Sequence, residues 1–171
     1  DVLDAATRIA GRVKRTPVMT SQAINAIVGA ELFFKCEHLQ SAGAFKFRGA
    51  SHVLSLLTEE EKARGVITHS SGNHAQALAL AAKRAGVAAT IVMPQGSNPL
   101  KKAATEGYGA KVIECINTQE ERERTCREEM KRTGMLLVHP YDDWRIISGA
   151  GTEAHELLED CILYTSPSPR D

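Results

Sequence analysis

The chain has 171 residues, 21 basic and 21 acidic, with a formal net charge of +0. That balance, with no extended basic block, argues against a dedicated nucleic-acid or anionic-membrane binder, and no apolar run reaches the roughly 18 residues of a membrane span. No signal peptide is visible at the first residue, and Cys36, Cys115, Cys126 and Cys161 form no CxxC pair or metal-spaced cluster, which indicates cytoplasmic thiols rather than a disulfide scaffold.

In chain order, residues 2–9 are mildly periodic and Thr16-Pro17-Val18 breaks them. Ser21 is placed to cap a helix over 22–28 that Gly29 ends. Residues 32–35 read as a strand, followed by a lysine-bearing loop and a helix over 45–57. A strand at 65–68 stops at His69-Ser70-Ser71-Gly72-Asn73-His74, and the alanine-rich run 75–85 has strong helix propensity that Gly86 closes. A strand at 88–93 ends at Pro94, Pro99 opens a helix to about 106, and 111–114 reads as a strand. A charged helix over 120–132 precedes a strand at 135–138. Its mixed charges, like Glu59-Glu60-Glu61-Lys62, read as solvated helix surface. Short apolar strands alternating with helices predict parallel βα units. Ligands in such sheets collect at strand C-terminal ends, where helix N-termini offer unpaired N–H groups.

Two stretches carry candidate chemistry. In Ser41-Ala42-Gly43-Ala44-Phe45-Lys46-Phe47-Arg48-Gly49-Ala50 a single lysine sits among aromatic and small residues, and an apolar site favours a nucleophilic, Schiff-base-forming lysine. The bland alternative is a lysine at a helix start with its stem buried and its ammonium in water. In Ser70 to His74, two hydroxyls, an amide and an imidazole meet at one turn, with Gly72 allowing close backbone approach. The same residues also suit an ordinary helix cap, with Ser71 or Asn73 bonding the first-turn N–H groups. Neither histidine has a carboxylate or cysteine at zinc-ligand spacing, and no GxGxxG or Walker A pattern is present.

Taken together, Lys35 to Ala50 and Thr68 to Ala77 resemble the lysine segment and asparagine loop of pyridoxal phosphate enzymes of fold type II, the tryptophan synthase β-like group. Lys101-Lys102 to Gly109-Ala110 agrees in order, as does His139-Pro140-Tyr141-Asp142-Asp143 leading to Gly149-Ala150-Gly151-Thr152 and Glu156. Within that group the chain is most similar to the serine racemases and the serine and threonine dehydratases. The resemblance covers about residues 3–160. It implies an α/β fold of three-layer parallel βα units, with 1–50 in a large cofactor domain, 51–142 a small domain, and 143–160 re-entering the large one. Trp144 is expected to pack at that re-entry, and Cys36 to be a buried filler.

Carried over residue by residue, the resemblance makes Lys46 the cofactor's Schiff-base lysine, with Phe45 beside it and Asn73 on the pyridine 3-oxygen. Ser41 and Ala44 help shape the entrance. Ser70, Ser71, Gly72, Asn73 and His74 become the loop that receives the substrate carboxylate. Lys46 and Ser71 become the two proton-transferring catalytic residues, a serine here marking the racemases where many threonine dehydratases carry alanine. The implied activity is serine racemisation with β-elimination to pyruvate and ammonia. Threonine or 3-hydroxyaspartate ammonia-lyase is the near alternative. A homodimer is implied for the complete enzyme, with Mg2+ and ATP as candidate effectors.

Catalytic chains of that group are substantially longer, so the phosphate-binding loop, the group facing the pyridine nitrogen and the divalent-metal carboxylates are expected from a missing C-terminal half. Residues 161–171, with two prolines, fit neither the next strand nor a helix continuing from 155–159, and read as a disordered or foreign tail. Two other function classes remain open from the residues alone: a βα domain binding a nucleotide or effector without chemistry, and a non-catalytic fragment that partners a full-length subunit.

Overall fold

A computed structural model of the protein describes residues 1–161, so all of the expected tail beyond Cys161 lies outside the described residues. Helix α1 (Val2–Ile9) starts from Asp1, whose carboxylate accepts the Asp4 N–H at 2.8 Å. Helix α2 (Gln22–Val28) starts from Ser21 and ends at Gly29, whose φ of 72° suits glycine. Strands β1 (Val18–Met19) and β2 (Phe34–Lys35) form a separate antiparallel pair. The strand expected at 32–35 is thus only its last two residues. The Leu32 N–H is taken by the Asn25 side-chain oxygen at 3.0 Å, which keeps it out of the ladder.

The remaining elements alternate. Helix α3 (Lys46–Leu56) is followed by α4 (Glu59–Arg64), which the Thr58 and Glu61 capping box opens. Then come β3 (Val66–His69), α5 (Asn73–Ala85), β4 (Ala89–Pro94), α6 (Pro99–Gly107), β5 (Lys111–Cys115), α7 (Gln119–Thr133), β6 (Leu136–Leu137) and α8 (Trp144–Asp160). Strands β3 to β6 make one wholly parallel sheet in the order β5-β4-β3-β6, as the βα alternation predicts. Successive strand residues serve opposite faces. Val66 and Ile91 join the core beneath α3 and α5, whereas Ile67 and Val92 pack with Cys126 and Met130 of α7.

The end of the chain departs from expectation. Helix α8 begins at residue 144 and includes the 155–159 helix expected from sequence. Gly149 serves packing: a Cβ on it would lie 2.7 Å from the Gly49 Cα of α3. Trp144 sits in the first turn of α8 and is 80% exposed, so it does not pack among the described residues. Cys36 is buried as expected.

An ion network ties α3, α8 and the chain's start together. Arg48 is fully buried, and its guanidinium pairs with Glu37 at 2.7 and 2.9 Å and with Glu156 at 2.7 and 2.9 Å. Burial works against the Arg48 charge, but the bonds from Glu37 and Glu156 outweigh it and raise its pKa. Lys35 reaches Glu156 at 2.8 Å and Asp160 at 3.1 Å. Each buried charge meets an opposite one in bidentate or shared geometry, the condition under which such groups tolerate loss of water.

Candidate active site

The strand order locates the site before any side chain does. From β3 the chain adds β4 and β5 on one side, then returns to place β6 on the other side of β3. The order therefore reverses between β3 and β6, and ligands of open α/β sheets bind outside the strand C-termini at such a reversal. The two loops leaving that point are 70–72, ahead of α5, and 138–143, ahead of α8. These loops hold the serines expected in the substrate loop and the His139-Pro140 segment.

Lys46 arrives there from outside the sheet. It is the first residue of α3, preceded by Phe45 as N-cap, and its Nζ donates to the Pro140 carbonyl at 3.0 Å. The Phe45 ring centroid lies 5.2 Å from the same Nζ. The segment before it is held tightly. Gln40 accepts the Lys14 and Ser41 N–H groups at 3.0 and 2.9 Å and donates to the Lys14 carbonyl at 2.7 Å. Ala42 adopts a φ of 57°, uncommon for a residue with a Cβ, and Gly43 follows at 68°. Arg84 donates to the Ser41 hydroxyl at 3.2 Å and lies 4.9 Å over the Phe47 ring, which ties Ser41 to the residue after Lys46. Ala44 is buried in the same turn.

Across the reversal, the Ser70–His74 stretch divides. Ser70, Ser71 and Gly72 form the turn, but Asn73 and His74 are already the first two residues of α5. Gly72 is the N-cap and no side chain caps the helix, so the capping expected of Ser71 or Asn73 does not occur. The Ser70 hydroxyl instead accepts the Gly72 N–H at 3.3 Å, and the Ser70 N–H donates to Val92 at 3.0 Å. Asn73 is exposed. His74 faces inward: it is 3% exposed, its Nε2 lies 3.4 Å from the Val138 carbonyl, and its Nδ1 has no partner. Burial, with the nearby Lys46 charge, pushes the His74 pKa down to about 4. His74 is thus a neutral wall beside Lys46, not a side chain projecting from the loop. His69, also buried, has its pKa lowered by burial and by His139, whose ring it meets edge-on at 5.8 Å.

Ser71 opens onto a polar cavity of about 310 Å³ lined by Asn98, Lys101, Asn117 and Arg122 among others, with no acidic residue in its wall. Arg122 donates to Asn117 at 3.0 Å, and its Nε is buried without a partner. As part of a charged helix it reads from sequence as solvated surface; the structure turns it into the cavity. Lys46 is not among the lining residues.

The sequence profile of the pyridoxal-phosphate dependent enzymes matches residues 9–168. The chain belongs to that family. Among curated family members, the L-threo-3-hydroxyaspartate ammonia-lyase of Saccharomyces cerevisiae is 51% identical over 160 residues, covering 94% of this chain and 49% of that protein. The serine racemase of Arabidopsis thaliana is 51% identical over 158 residues, covering 92% and 48%. The solved structure of maize serine racemase superposes with a TM-score of 0.90 at 47% identity, covering 92% of this chain and 48% of that one. The chain therefore spans about half the length of these relatives.

The family's cofactor is pyridoxal phosphate, and the residues present fit it in part. They supply an amine beside an aromatic ring, a helix N-terminus with no side-chain cap, and a Gly72 whose added Cβ would meet nothing nearer than the Lys101 Nζ at 4.0 Å. Among the described residues no group of three or more His, Cys, Asp or Glu side chains could hold a metal ion. No helix among them is long and apolar enough to cross a membrane.

Proposed function

We propose that the complete protein is a pyridoxal-phosphate dependent ammonia-lyase and racemase of small β-hydroxy amino acids, with 3-hydroxyaspartate its preferred substrate class. The acid-free cavity where Ser71 meets Lys101 and Arg122 carries this reading. Two cations and a buried, unpartnered guanidinium nitrogen suit a substrate with a second carboxylate better than serine or threonine. The relative from Saccharomyces cerevisiae, described as acting on that substrate, supports it. Ser71 itself favours the second reading, serine racemisation, because a hydroxyl at this turn supplies a second proton-carrying group.

Pyridoxal phosphate, when bound, withdraws electrons from the substrate and makes its Cα proton removable. Lys46 would hold the cofactor through its amine, and that amine would then take the Cα proton. Phe45 would lie beside the cofactor, and Asn73, exposed at the helix mouth, would offer it a hydrogen-bond donor. The Ser70, Ser71 and Gly72 turn receives the α-carboxylate, assisted by the α5 N–H groups. Ser71 returns a proton in racemisation, whereas departure of the β-hydroxyl as water, followed by hydrolysis of the resulting imine, gives the keto acid and ammonia.

Residues 1–50 and 143–160 belong to a larger domain and 51–142 to a smaller one; the separation of β1 and β2 from the four-stranded sheet supports this. The protein acts on small molecules, not nucleic acid, and as a homodimer, to which the exposed Ile27 and Val28 of α2 lend an apolar face. Free thiols at all four cysteines suit the cytoplasm.

The test is steady-state assay of the complete protein on L-threo-3-hydroxyaspartate, L-threonine and L-serine, with D-serine formation followed separately. Arg122→Gln is expected to raise KM for 3-hydroxyaspartate about tenfold more than for serine, the worth of one charge-assisted bond. An equal effect on both substrates would sink the dicarboxylate reading. Failure of the wild-type protein to gain a cofactor absorbance that Lys46→Ala abolishes would sink the cofactor role of Lys46.

A further inference from the structure

We propose that the bend after β6 is a seat for the Lys46 amine: the Pro140 carbonyl takes the amine's hydrogen bond, and His139 is the positioning residue that aims this carbonyl. The inference rests on the proposed cofactor role of Lys46, since only a lysine that is alternately bonded and released needs a defined place to return to.

The geometry begins with one peptide group. The Pro140 C=O and the Tyr141 N–H belong to the same planar unit and point in opposite directions. His139 Nδ1 accepts that Tyr141 N–H at 3.3 Å and the Asp142 N–H at 2.8 Å. Fixing the N–H on one side fixes the carbonyl on the other, where the Lys46 Nζ donates to it at 3.0 Å. Proline adds its own locked φ. The imidazole that does the holding is itself braced, edge-on to His69 at 5.8 Å and to Tyr141 at 4.6 Å. Nδ1 accepts from both N–H groups, which leaves Nε2 to carry the ring's hydrogen.

The chemical consequence follows from the seat having only an acceptor. Bonded to one carbonyl, the Lys46 amine gains a single direction. Buried neutral His74, against the neighbouring Val138 carbonyl, puts no negative charge nearby. Among the described residues no hydrogen bond joins His139 to Lys46, so His139 acts through the peptide it holds.

Competitive acetylation of lysines in the cofactor-free full chain, read by mass spectrometry, tests this. His139→Phe keeps a ring against His69 and Tyr141 but removes the acceptor; His139→Asn restores an acceptor oxygen able to bond the following N–H groups. Labelling of Lys46 relative to Lys83 and Lys131 is expected to rise about fivefold in His139→Phe, the worth of one ordinary hydrogen bond, and to fall back in His139→Asn. Unchanged Lys46 labelling in His139→Phe, an Asn variant that behaves like the Phe variant, or a rise shared by all lysines would each overturn the seat. Borohydride trapping of pyridoxal phosphate on wild-type Lys46 is read separately: its failure overturns the cofactor reading, whereas a flat acetylation result with successful trapping overturns only the role of His139.

Discussion

Gly149→Ala is expected to destabilise the protein even though alanine is the better helix former. In the middle of α8 the exchange gains about 1 kcal/mol of helix propensity. Against this, the new Cβ would lie 2.7 Å from the Gly49 Cα, 2.8 Å from the His52 Cβ and 2.9 Å from the Arg48 carbonyl oxygen. None of these atoms is a flexible side-chain end, so α8 must move away from α3, and overpacking of this kind costs about 1 to 3 kcal/mol, more when surrounding contacts are lost with it. The movement also pulls Glu156 of α8 from buried Arg48 of α3, so the upper end applies and the net loss is about 2 kcal/mol. In a chain of this size that lowers the thermal midpoint by about 4 to 8 °C. Gly107→Ala is the internal control: a Cβ there meets nothing within 4 Å at the end of α6, and the exchange is expected to be neutral or slightly stabilising. Urea and thermal unfolding followed by circular dichroism would measure both. A Gly149→Ala midpoint at or above wild type would refute the close helix crossing.

Glu156→Gln leaves Arg48 with Glu37 and Lys35 with Asp160, and is expected to cost about 3 kcal/mol at neutral pH in urea unfolding. Burial raises the Glu156 pKa but the Arg48 and Lys35 bonds outweigh it, so the folded carboxyl titrates below its ordinary 4.5. Its contribution is complete above that pH and lost as the pH falls further; the variant should lack this part of the acid limb, and an unchanged limb would count against the network. His74 titrates at about 4 in the fold against 6.5 when unfolded, so the unfolded chain binds the extra proton between these values. Stability should therefore be full above pH 6.5 and decline towards pH 4 by about 3 kcal/mol, and an NMR titration showing His74 protonated at pH 6 would contradict the buried placement. Ser71→Ala in the complete, cofactor-loaded protein is expected to suppress D-serine formation by two or more orders of magnitude while ammonia release persists, the usual worth of a positioned proton carrier; equal loss of both would remove Ser71 from the racemising step.

Elements with their own punctuation were legible from sequence. Ser21 and Gly29 bracket α2 and Gly86 closes α5, both glycines at positive φ. What stayed hidden depends on distant partners. Asn73 and His74 read as loop because no side-chain cap announces the start of α5. The reason for Gly149 and Gly151 within α8 lies on Gly49 and Val2, which no local spacing announces. Arg48, between Phe47 and Gly49, gives no local sign that Glu37 and Glu156 converge on it. Arg122 looks like any other charge on α7 until Asn117 and the turn of Ser71 are placed against it.

The strand reversal explains why a short set of residues can support different outcomes in one family. Lys46 is presented by a helix whose first turns are fixed by the Arg48 network and the Gly49 crossing, so its reach to the β6 loop is set by the scaffold. The groups facing it come from the turn after β3 and from the cavity walls, Ser71, Lys101 and Arg122, which the packing of that scaffold does not dictate. Two relatives with equal identity to this chain bear different activities in their names. Overall identity to this chain therefore does not sort the two activities. On the proposed function, exchange at the cavity wall is expected to change which carboxylate is held without disturbing the amine, whereas exchange in the α3 to α8 seam is expected to move the amine itself. Substrate choice should follow the first kind of change, and loss of all activity the second.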